Sequence, residues 1–555
     1  MPRDVEVSAE AGTLLDDVAV ALRAAAGQES APLYAGQTPL GASARLGDPP
    51  LLDGAVLTVG TPAGGLGPRG ALELRVVSGP DAGAVHRLVR GTTTVGRAPG
   101  ATVGLDDPDV SRLHAVIEVD ESGVRVRDLG STNGTCLRAS DATDDEDTTE
   151  VGRAAVTLPI GAHLRLGSST LVLAPPELAP GTVHPDHEGH LLLNRPPRLL
   201  APVPAQEVTL PQPPAERDAA RFPLVMMVVP VLLGAIAYRL TGNAMTLLFV
   251  ALSPVMMLAT YGSDRLAGRR GNRRARQRYD AELAAARERI AASVAAEQRA
   301  ARERCPDAAE LLLSAREPRP RLWERRRQDA DFLSLRVGTG SLPSSLTVRT
   351  RDTSSGVPET HTPPLLNVPV TVSLRDAGIV GVAGPRRRLL PLARALVGQL
   401  AGWHSPRDVE VVLLGSSPES AQDWQWAGWL PHTQATGGQD CTVLAGFTAA
   451  SVAARVGELC ARLDARQQEH PAGTPVSWRG RSTVVVLDGA RSLRAVPAVA
   501  RLLAEGPTHG IYLLCLDEDA VALPVECTTT ALLAGPVATA LTVRRDGAAP
   551  VEGAV

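Results

Sequence analysis

The sequence predicts a multidomain protein of mixed fold class. The expected parts are a small β/α unit, an all-β sandwich, a two-helix transmembrane hairpin with a helical stalk, and a C-terminal α/β domain. The chain has 555 residues, too many for one hydrophobic core. Two long, nearly uncharged segments lie in its middle. Before them the pattern is one of short alternating strands, and after them strands alternate with helices.

Residues 1–66 predict a small β/α unit. Residues 4–12 alternate like a strand, residues 13–27 have the apolar spacing of a helix, and short strands with turns follow. This order resembles a ubiquitin-like β-grasp domain that lacks its first strand. A divergent sandwich similar to the next domain is the alternative.

Residues 71–175 form a run of short alternating strands separated by Gly, Asp and Asn turns, which predicts a β-sandwich. Three of its loops carry the segments VGRAPGATVGL, SRLHAVI and LGSTNGT. A dianionic phosphothreonine needs a guanidinium, hydroxyl groups and turn-forming amides close together. Arg97 supplies the charge, Ser111 and Thr132 the hydroxyls, Asn133 a backbone-reading amide, and Gly134 a tight turn.

This set of three motifs resembles the forkhead-associated (FHA) family, which reads phosphothreonine. The resemblance implies phosphate contacts at Arg97, Ser111, Arg112 and Thr132, with Asn133 on the ligand backbone. It also implies architectural roles for three further residues, namely Gly96, His114 and Gly134. A sandwich that has kept these turns but lost ligand binding is the alternative.

The middle of the chain predicts a membrane anchor. Residues 176–221 are a Pro-rich linker, and residues 222–261 hold two apolar runs, each long enough to give roughly 28 Å of helix. The arginine-rich segment that follows places the N- and C-terminal domains in the cytoplasm, with the protein in the plasma membrane as a two-pass chain. A buried helical hairpin in a soluble core is the alternative reading of residues 222–261.

Residues 262–370 predict a basic helical stalk and a β-rich connector, in which the run from Arg325 to Arg327 indicates a solvated turn. A domain contact or a contact with acidic lipid is the alternative for this run. Residues 371–555 alternate strand and helix, which predicts an α/β domain with a largely parallel sheet.

Gly381 and Gly384 lie where a phosphate-binding loop would be, between a strand and a helix. A working loop ends in Gly-Lys-Ser/Thr, but here Pro385 and Arg386 follow, and the chain has no lysine. Asp488 ends a strand that looks like a Walker B strand. We therefore interpret Gly381, Gly384 and Asp488 as the relic of a nucleotide loop in a module without catalytic residues.

Composition excludes other classes of site. The six cysteines lack CxxC spacing, so neither a zinc site nor any other cofactor is expected. A net charge of −4 gives no indication of nucleic-acid binding.

The order of parts, with the segments NRPPR, LWERRRQDADFLSLRVG and WLPH, resembles the N-terminal half of the EccC/EssC-type FtsK/SpoIIIE membrane ATPases of type VII secretion. The resemblance implies a degenerate ATPase-like domain at 371–555. It also implies partnership with other membrane subunits and an FtsK-type ATPase, and a homo-oligomeric assembly. No intact Walker A motif occurs, so we expect a fragment or one half of a split ATPase.

Three functions remain open from the sequence. The first is a structural and regulatory subunit of a type VII-like secretion machine that binds a phosphothreonine-containing protein. The second is an ATP-binding motor that uses a non-standard loop, or a fused or partner ATPase half. The third is a stand-alone membrane-tethered phosphothreonine adaptor.

Overall fold

The computed structural model forms two compact units, and the ranges that it describes are given at the end of this paragraph. One unit comprises Met1–Pro202, Gln298–Leu342 and Leu366–Val555, and the other comprises Val203–Glu297 with Pro343–Leu365. Parts of the predicted linker at 176–221 and the start of the predicted hairpin at 222 lie outside the described residues. The described residues are 5–10, 12–28, 30–36, 38–52, 55–62, 72–142, 148–176, 181, 183–185, 191–200, 203, 206–214, 224–242, 245–316, 319–351, 358–436, 438–469 and 478–555.

The N-terminal part of the first unit is a helix on a small sheet. Helix α1 (Leu15–Ala25) precedes three short antiparallel strands in the order β2-β1-β3; these are β1 (Leu33–Ala35), β2 (Thr38–Pro39) and β3 (Leu57–Val59). The buried side chains that hold the helix and sheet together are Leu15, Ala19, Leu33 and Leu51. A helix and three strands are thus the described elements of residues 1–66.

The sandwich consists of two sheets, one in the order β11-β10-β13-β14-β4-β5 and one in the order β12-β9-β8-β6-β7. Inward-facing Val, Leu and Ile side chains from both sheets form one core, as alternation along the strands predicts. Its strands are β4 (Leu72–Ser78), β5 (Val85–Leu88), β6 (Gly91–Gly96), β7 (Val103–Gly104), β8 (Ala115–Asp120), β9 (Gly123–Asp128), β10 (Thr135–Arg138), β11 (Thr148–Val151), β12 (Val156–Thr157), β13 (His163–Leu166) and β14 (Ser169–Ala174).

The predicted linker contains a two-stranded hairpin of β15 (Val183–Pro185) and β16 (Leu191–Leu193). Arg195 then bonds Asp408 at 3.3 Å, and Arg198 bonds Asp331 at 2.7 Å. Within the first unit, the NRPPR segment is therefore held in place by ion pairs.

The second unit contains strand β17 (Glu207–Thr209), which pairs in parallel with β19 (Thr347–Arg351), itself paired with β20 (Pro358–His361). The two apolar runs fall on helix α2 (Leu224–Thr241) and on the start of the 60-residue helix α3 (Met245–Arg304). No helix in the described ranges combines the length and the apolar character of a membrane span.

The α/β domain is built on a ten-stranded sheet in the order β21-β18-β29-β28-β27-β22-β26-β25-β23-β24. Its strands are β18 (Ser334–Pro343), β21 (Pro364–Ser373), β22 (Ile379–Ala383), β23 (Val409–Gly415), β24 (Ala445–Gly446), β25 (Ser482–Asp488), β26 (Ile511–Asp517), β27 (Thr529–Ala534), β28 (Ala540–Arg545) and β29 (Val551–Ala554). Its helices are α4 (Ala308–Arg316), α5 (Leu374–Ala377), α6 (Arg386–Trp403), α7 (Pro418–Trp424), α8 (Ala449–Glu469), α9 (Ala490–Arg494) and α10 (Pro497–Glu505).

Six strands, from β27 to β24, are parallel, and two apolar clusters cover the two faces of the sheet. Strands β28, β29 and β18 extend the sheet in antiparallel fashion. From the sequence we assigned the residues of β18 and most of β21 to a connector, but in the structure both strands belong to this sheet. Strand β18 joins the sheet by pairing with β29 at the end of the chain, which is too distant in sequence to be read from local pattern.

The prediction of a solvated turn at Arg325–Arg327 is wrong for Arg325. Its side chain is 1% exposed, and it donates to the carbonyl oxygens of Ser334 and Arg304. A run of charged residues indicates a solvent-exposed segment only where its side chains have no buried carbonyl oxygens to bind.

Candidate functional site

Three loops meet at one end of the sandwich and are joined by backbone hydrogen bonds. The N–H of Arg97, just after β6, donates to the carbonyl oxygen of Ser111 at 3.0 Å. The N–H of Ala98 donates to the carbonyl oxygen of Arg112 at 3.0 Å. The N–H of Leu129 donates to the carbonyl oxygen of His114 at 2.9 Å. The loops that carry the three sequence motifs are thus brought into direct contact.

His114 holds two of these loops together from inside. Its side chain is fully buried, and its Nδ1 accepts a hydrogen bond from the N–H of Ser111 at 3.0 Å. Because Nδ1 accepts, the proton is on Nε2, which donates to the carbonyl oxygen of Gly134 at 3.1 Å. This imidazole positions the loops and is not open to a ligand.

Two glycines are required by the loop geometry. A Cβ atom on Gly96 would overlap the carbonyl oxygen of Arg112, so the close approach of the end of β6 to the loop that carries Arg112 depends on the missing side chain. Gly134 has φ +73°, a conformation that favours glycine.

Asp128, at the end of β9, organises the third loop and was missed in the sequence. Its Oδ1 accepts the N–H groups of Gly130 and Ser131 at 2.6 and 2.7 Å, and its Oδ2 accepts the hydroxyls of Ser131 and Thr135, both at 2.6 Å. Burial raises the pKa of Asp128, but the hydrogen bonds from Ser131 and Thr135 outweigh it and hold the pKa below its ordinary value. The signal that could have found it is an Asp directly before a Gly-rich turn.

The polar side chains of the predicted site lie on this frame. Ser111 Oγ accepts the N–H of Thr132 at 3.1 Å, which joins the two hydroxyl-bearing residues. Asn133 Nδ2 donates to the carbonyl oxygen of Asp109 at 2.8 Å, so its amide is oriented at the surface. Thr132 and Asn133 are exposed, and Ser111 is half-buried.

The two arginines of the site carry no counter-charge. The side chains of Arg97 and Arg112 are exposed, and neither forms an ion pair with any residue of the described ranges. Arg97 Nε makes one hydrogen bond, at 3.3 Å, to the carbonyl oxygen of Val110. The three loops therefore carry two exposed guanidinium groups, hydroxyl groups and an oriented amide, which are the groups that bind anions.

The relic nucleotide loop has a different arrangement. Gly384 packs so closely on Leu533 that a Cβ atom would overlap that side chain. Arg386, at the start of α6, pairs with both carboxylate oxygens of Asp488, one of them at 2.9 Å, and with Asp423 at 2.6 Å. Trp424 Nε1 also donates to Asp488 at 2.9 Å. The ion pairs of Arg386 could not be predicted from the sequence, because Asp423 and Asp488 lie far from it along the chain.

These contacts shift the pKa values of Asp488 and Arg386. Burial raises the pKa of Asp488, but the hydrogen bonds from Arg386 and Trp424 outweigh it, so the pKa is lowered overall. The hydrogen bond to Asp488 is the largest cause that raises the pKa of Arg386 above its ordinary value. The cation nearest to the loop is thus neutralised within the protein itself.

Comparison with known proteins finds a match for the sandwich. A family model described as the cytoplasmic domain of an inner membrane component of the type III secretion system matches residues 75–177. A solved structure, from a study of phosphothreonine-dependent FHA domain interactions, is 28% identical. It covers 19% of this chain and 98% of that chain, with a TM-score of 0.16.

Two relatives match longer stretches of the chain. The ESX secretion system protein EccC of Thermomonospora curvata is 31% identical over 256 residues, covering 42% of this chain and 19% of that protein. The ESX-3 secretion system protein EccC3 of Mycobacterium tuberculosis is 27% identical over 346 residues, covering 59% of this chain and 24% of that protein. The matched region thus spans less than a quarter of either relative's length. The chain is thus similar to solved FHA domains in its sandwich and to part of the EccC proteins over a longer stretch.

Proposed function

We propose that the chain is a membrane-anchored component of a type VII secretion machine that binds phosphothreonine peptides through its FHA domain. The similarity to ESX secretion proteins supports the assignment to such a machine. The single observation that carries the binding function is the pair of exposed guanidinium groups, Arg97 and Arg112, beside Ser111, Thr132 and Asn133.

The physical reason for preferring a phosphate is the combination of charge and geometry. Guanidinium groups form short, strong hydrogen bonds to phosphate oxygens, and a dianion can use both of them. A neutral threonine offers neither the charge nor the three acceptor oxygens. The site therefore discriminates in favour of the modified peptide.

Peptide binding tests this function on the full chain in detergent. Fluorescence polarisation is measured with a randomised phosphothreonine peptide library and with the same library unphosphorylated. We expect saturable binding of the phosphorylated library only. Equal polarisation with the two libraries would reject the proposed function.

Membrane anchoring is a further part of the proposal. The apolar side chains on α2 that the structure describes are 45–81% exposed, among them Leu233 at 61% and Leu240 at 81%. On the first turns of α3, Leu252, Val255 and Met256 are 58–61% exposed. Exposed apolar surface of this extent favours burial in lipid.

We place the N- and C-terminal domains on the cytoplasmic side of the plasma membrane, because the arginine-rich segment follows the second apolar run. Carbonate extraction of membranes from expressing cells tests the anchor, with a chain lacking residues 222–261 as control. The full chain should stay in the pellet and the control should be released. Release of both would contradict anchoring.

The partners that we propose are a phosphothreonine-containing protein, other membrane subunits of the machine and an FtsK-type ATPase. Homo-oligomerisation belongs to the same proposal. Arg386 argues against the alternative of an ATP-binding motor in this chain, because it is already paired with Asp488 and Asp423.

A further inference from the structure

The first unit contains a cavity of about 870 Å³ away from both sites described above. One wall is the sandwich, with His163 and Arg165 on β13. The other wall comes from Arg302 near the end of α3 and Arg336 on β18. Its volume falls in the range that holds small-molecule ligands, about 300–1,000 Å³.

The cavity wall has more positive than negative charge. Six arginines and four carboxylates line it, an excess of two positive charges. The carboxylates include Glu310, which pairs with Arg75 at 2.9 Å, and Glu324, which pairs with Arg321 at 2.9 Å. These ion pairs neutralise part of the positive charge of the wall. The other arginines of the wall carry the remaining charge.

That remaining charge lies on three arginines. Arg165, Arg302 and Arg336 form no ion pair with any residue in the described part of the chain. The hydrogen bonds of Arg302 go to three carbonyl oxygens, and those of Arg336 go to a carbonyl oxygen of Cys305 and to Thr339 Oγ1. Each guanidinium has five N–H groups, so both retain donors beyond these bonds.

Burial and the repulsion among these positive charges lower the pKa values of two groups in the cavity wall, Arg302 and His163. Burial and the charge of Arg336 lower the pKa of Arg302 to about 10. Burial, followed by the charges of Arg302, Arg336 and Arg138, lowers the pKa of His163 to about 3. The carboxylate of Asp307 offsets part of the charge of Arg336 without an ion pair between them. The positive charge that remains in this partly buried cavity costs free energy, which a bound anion would recover.

We propose that this cavity binds a small, multiply charged anion of the phosphate class, held by Arg302 and Arg336 from one wall and by His163 and Arg165 from the other. Guanidinium groups match phosphate oxygens in geometry as well as charge. No Phe, Tyr or Trp side chain is among the described residues that line the cavity, so it offers no large aromatic face on which a base could stack. The phosphate groups are thus the recognised part of the ligand.

A titration of the full chain with pyrophosphate tests the proposal. The protein carries Arg97→Ala and Arg112→Ala, so that the FHA loops cannot bind the anion. Isothermal titration calorimetry without Mg²⁺ should give saturable binding with about one anion per chain. Arg336→Gln in the same background should weaken binding about tenfold, the effect of losing one charge-assisted contact.

Two further variants keep the result interpretable. Arg165→Gln is the safer change, because this exposed side chain makes one hydrogen bond, to the carbonyl oxygen of Gly167 at 3.3 Å. It should also weaken binding, by about threefold or more. Arg90→Gln removes the same charge from the sandwich surface, where Arg90 pairs with Glu121, and should change nothing.

ADP should bind about as tightly as pyrophosphate. The absence of saturable binding in the parent protein would overturn the proposal. So would equal binding by the parent, Arg165→Gln and Arg336→Gln proteins, or binding of ADP more than tenfold tighter than that of pyrophosphate. Phosphothreonine-peptide binding is measured separately on protein with Arg97 and Arg112 intact, so failure here leaves the proposed function untouched.

Discussion

The FHA loops and the relic nucleotide loop each place arginine at the end of a sheet, but the two regions differ in what the arginine contacts. Arg97 and Arg112 are exposed and form no ion pair within the described ranges. Arg386 is bound to two carboxylates, Asp488 and Asp423. Arginine is therefore available to an external anion in the FHA loops, whereas in the relic nucleotide loop it is already paired with carboxylates of the protein.

The comparison teaches that the counter-charge matters more than the motif. A guanidinium with a fixed carboxylate partner must lose that partner before it can hold a phosphate, and a buried carboxylate left behind is costly. The FHA loops avoid this cost because their frame is held by neutral hydrogen bonds through His114 and by Asp128, which faces backbone and hydroxyl groups.

Arg97→Ala gives the largest expected effect. Loss of the charge-assisted contacts should weaken binding of a phosphothreonine peptide by about a hundredfold or more, since such bonds contribute about 1.5–3 kcal/mol each. The melting temperature should stay the same, because Arg97 is exposed and makes one long hydrogen bond. Arg90→Ala, measured by fluorescence polarisation alongside it, is the matched control and should bind like the wild type.

Arg386→Met should destabilise the α/β domain by about 2 kcal/mol in urea unfolding. The substitution leaves the buried Asp488 with neutral side-chain donors, Trp424 and Ser420, and the partial exposure of Arg386 keeps the cost below that of a fully buried pair. Arg387→Met is the control, because Arg387 is exposed and reaches Asp106 at only 3.5 Å. Equal stability of the two variants would contradict the account.

The cost of Arg386→Met should also depend on pH. In the wild type the pKa of Asp488 lies below its ordinary value, so its stabilising effect is present above that value and is lost as pH falls through the folded pKa. Without Arg386, burial raises the pKa, and the penalty disappears as Asp488 takes up a proton. The difference in unfolding free energy should therefore narrow between pH 7 and about pH 4.5. A difference that widens on acidification would be inconsistent with this assignment.

Thr135→Val should have the smallest effect. It removes the buried hydroxyl that donates to Asp128 Oδ2 at 2.6 Å, at a cost of about 1 kcal/mol. The loop from Gly130 to Gly134 loses part of its support, so peptide affinity should fall by a few-fold while specificity for phosphothreonine is kept. Unchanged affinity and unchanged unfolding free energy would show that Asp128 does not organise this loop.

The sequence predicted the parts that depend on local pattern. Alternating strands separated by Gly and Asn turns gave the sandwich, and the spacing of strands and helices gave the parallel part of the α/β sheet. The three loops of the FHA site could be paired in advance because their motifs are those of a known family. Structure was needed for the partners of these residues, such as the Nδ1 bond of His114 to Ser111.

What the sequence could not predict depends on residues far apart in the chain. Arg386 meets Asp488 across 102 positions, and no local pattern connects them. Strand β18 pairs with β29 at the end of the chain, so its place in the sheet could not be read from its own residues. The arginines of the phosphate-class cavity come from β13, α3 and β18, and they read separately as ordinary surface charges.

One calorimetric experiment tests the central contrast most directly, using the full wild-type chain and two ligands. A phosphothreonine peptide selected from the library should give heat of binding that disappears with Arg97→Ala. Millimolar Mg-ATP should give no heat of binding that depends on Arg386, so its titration should be the same for the wild type and for the Arg386→Met variant. Binding of Mg-ATP that Arg386→Met abolishes, together with no binding of the phosphopeptide, would contradict the account.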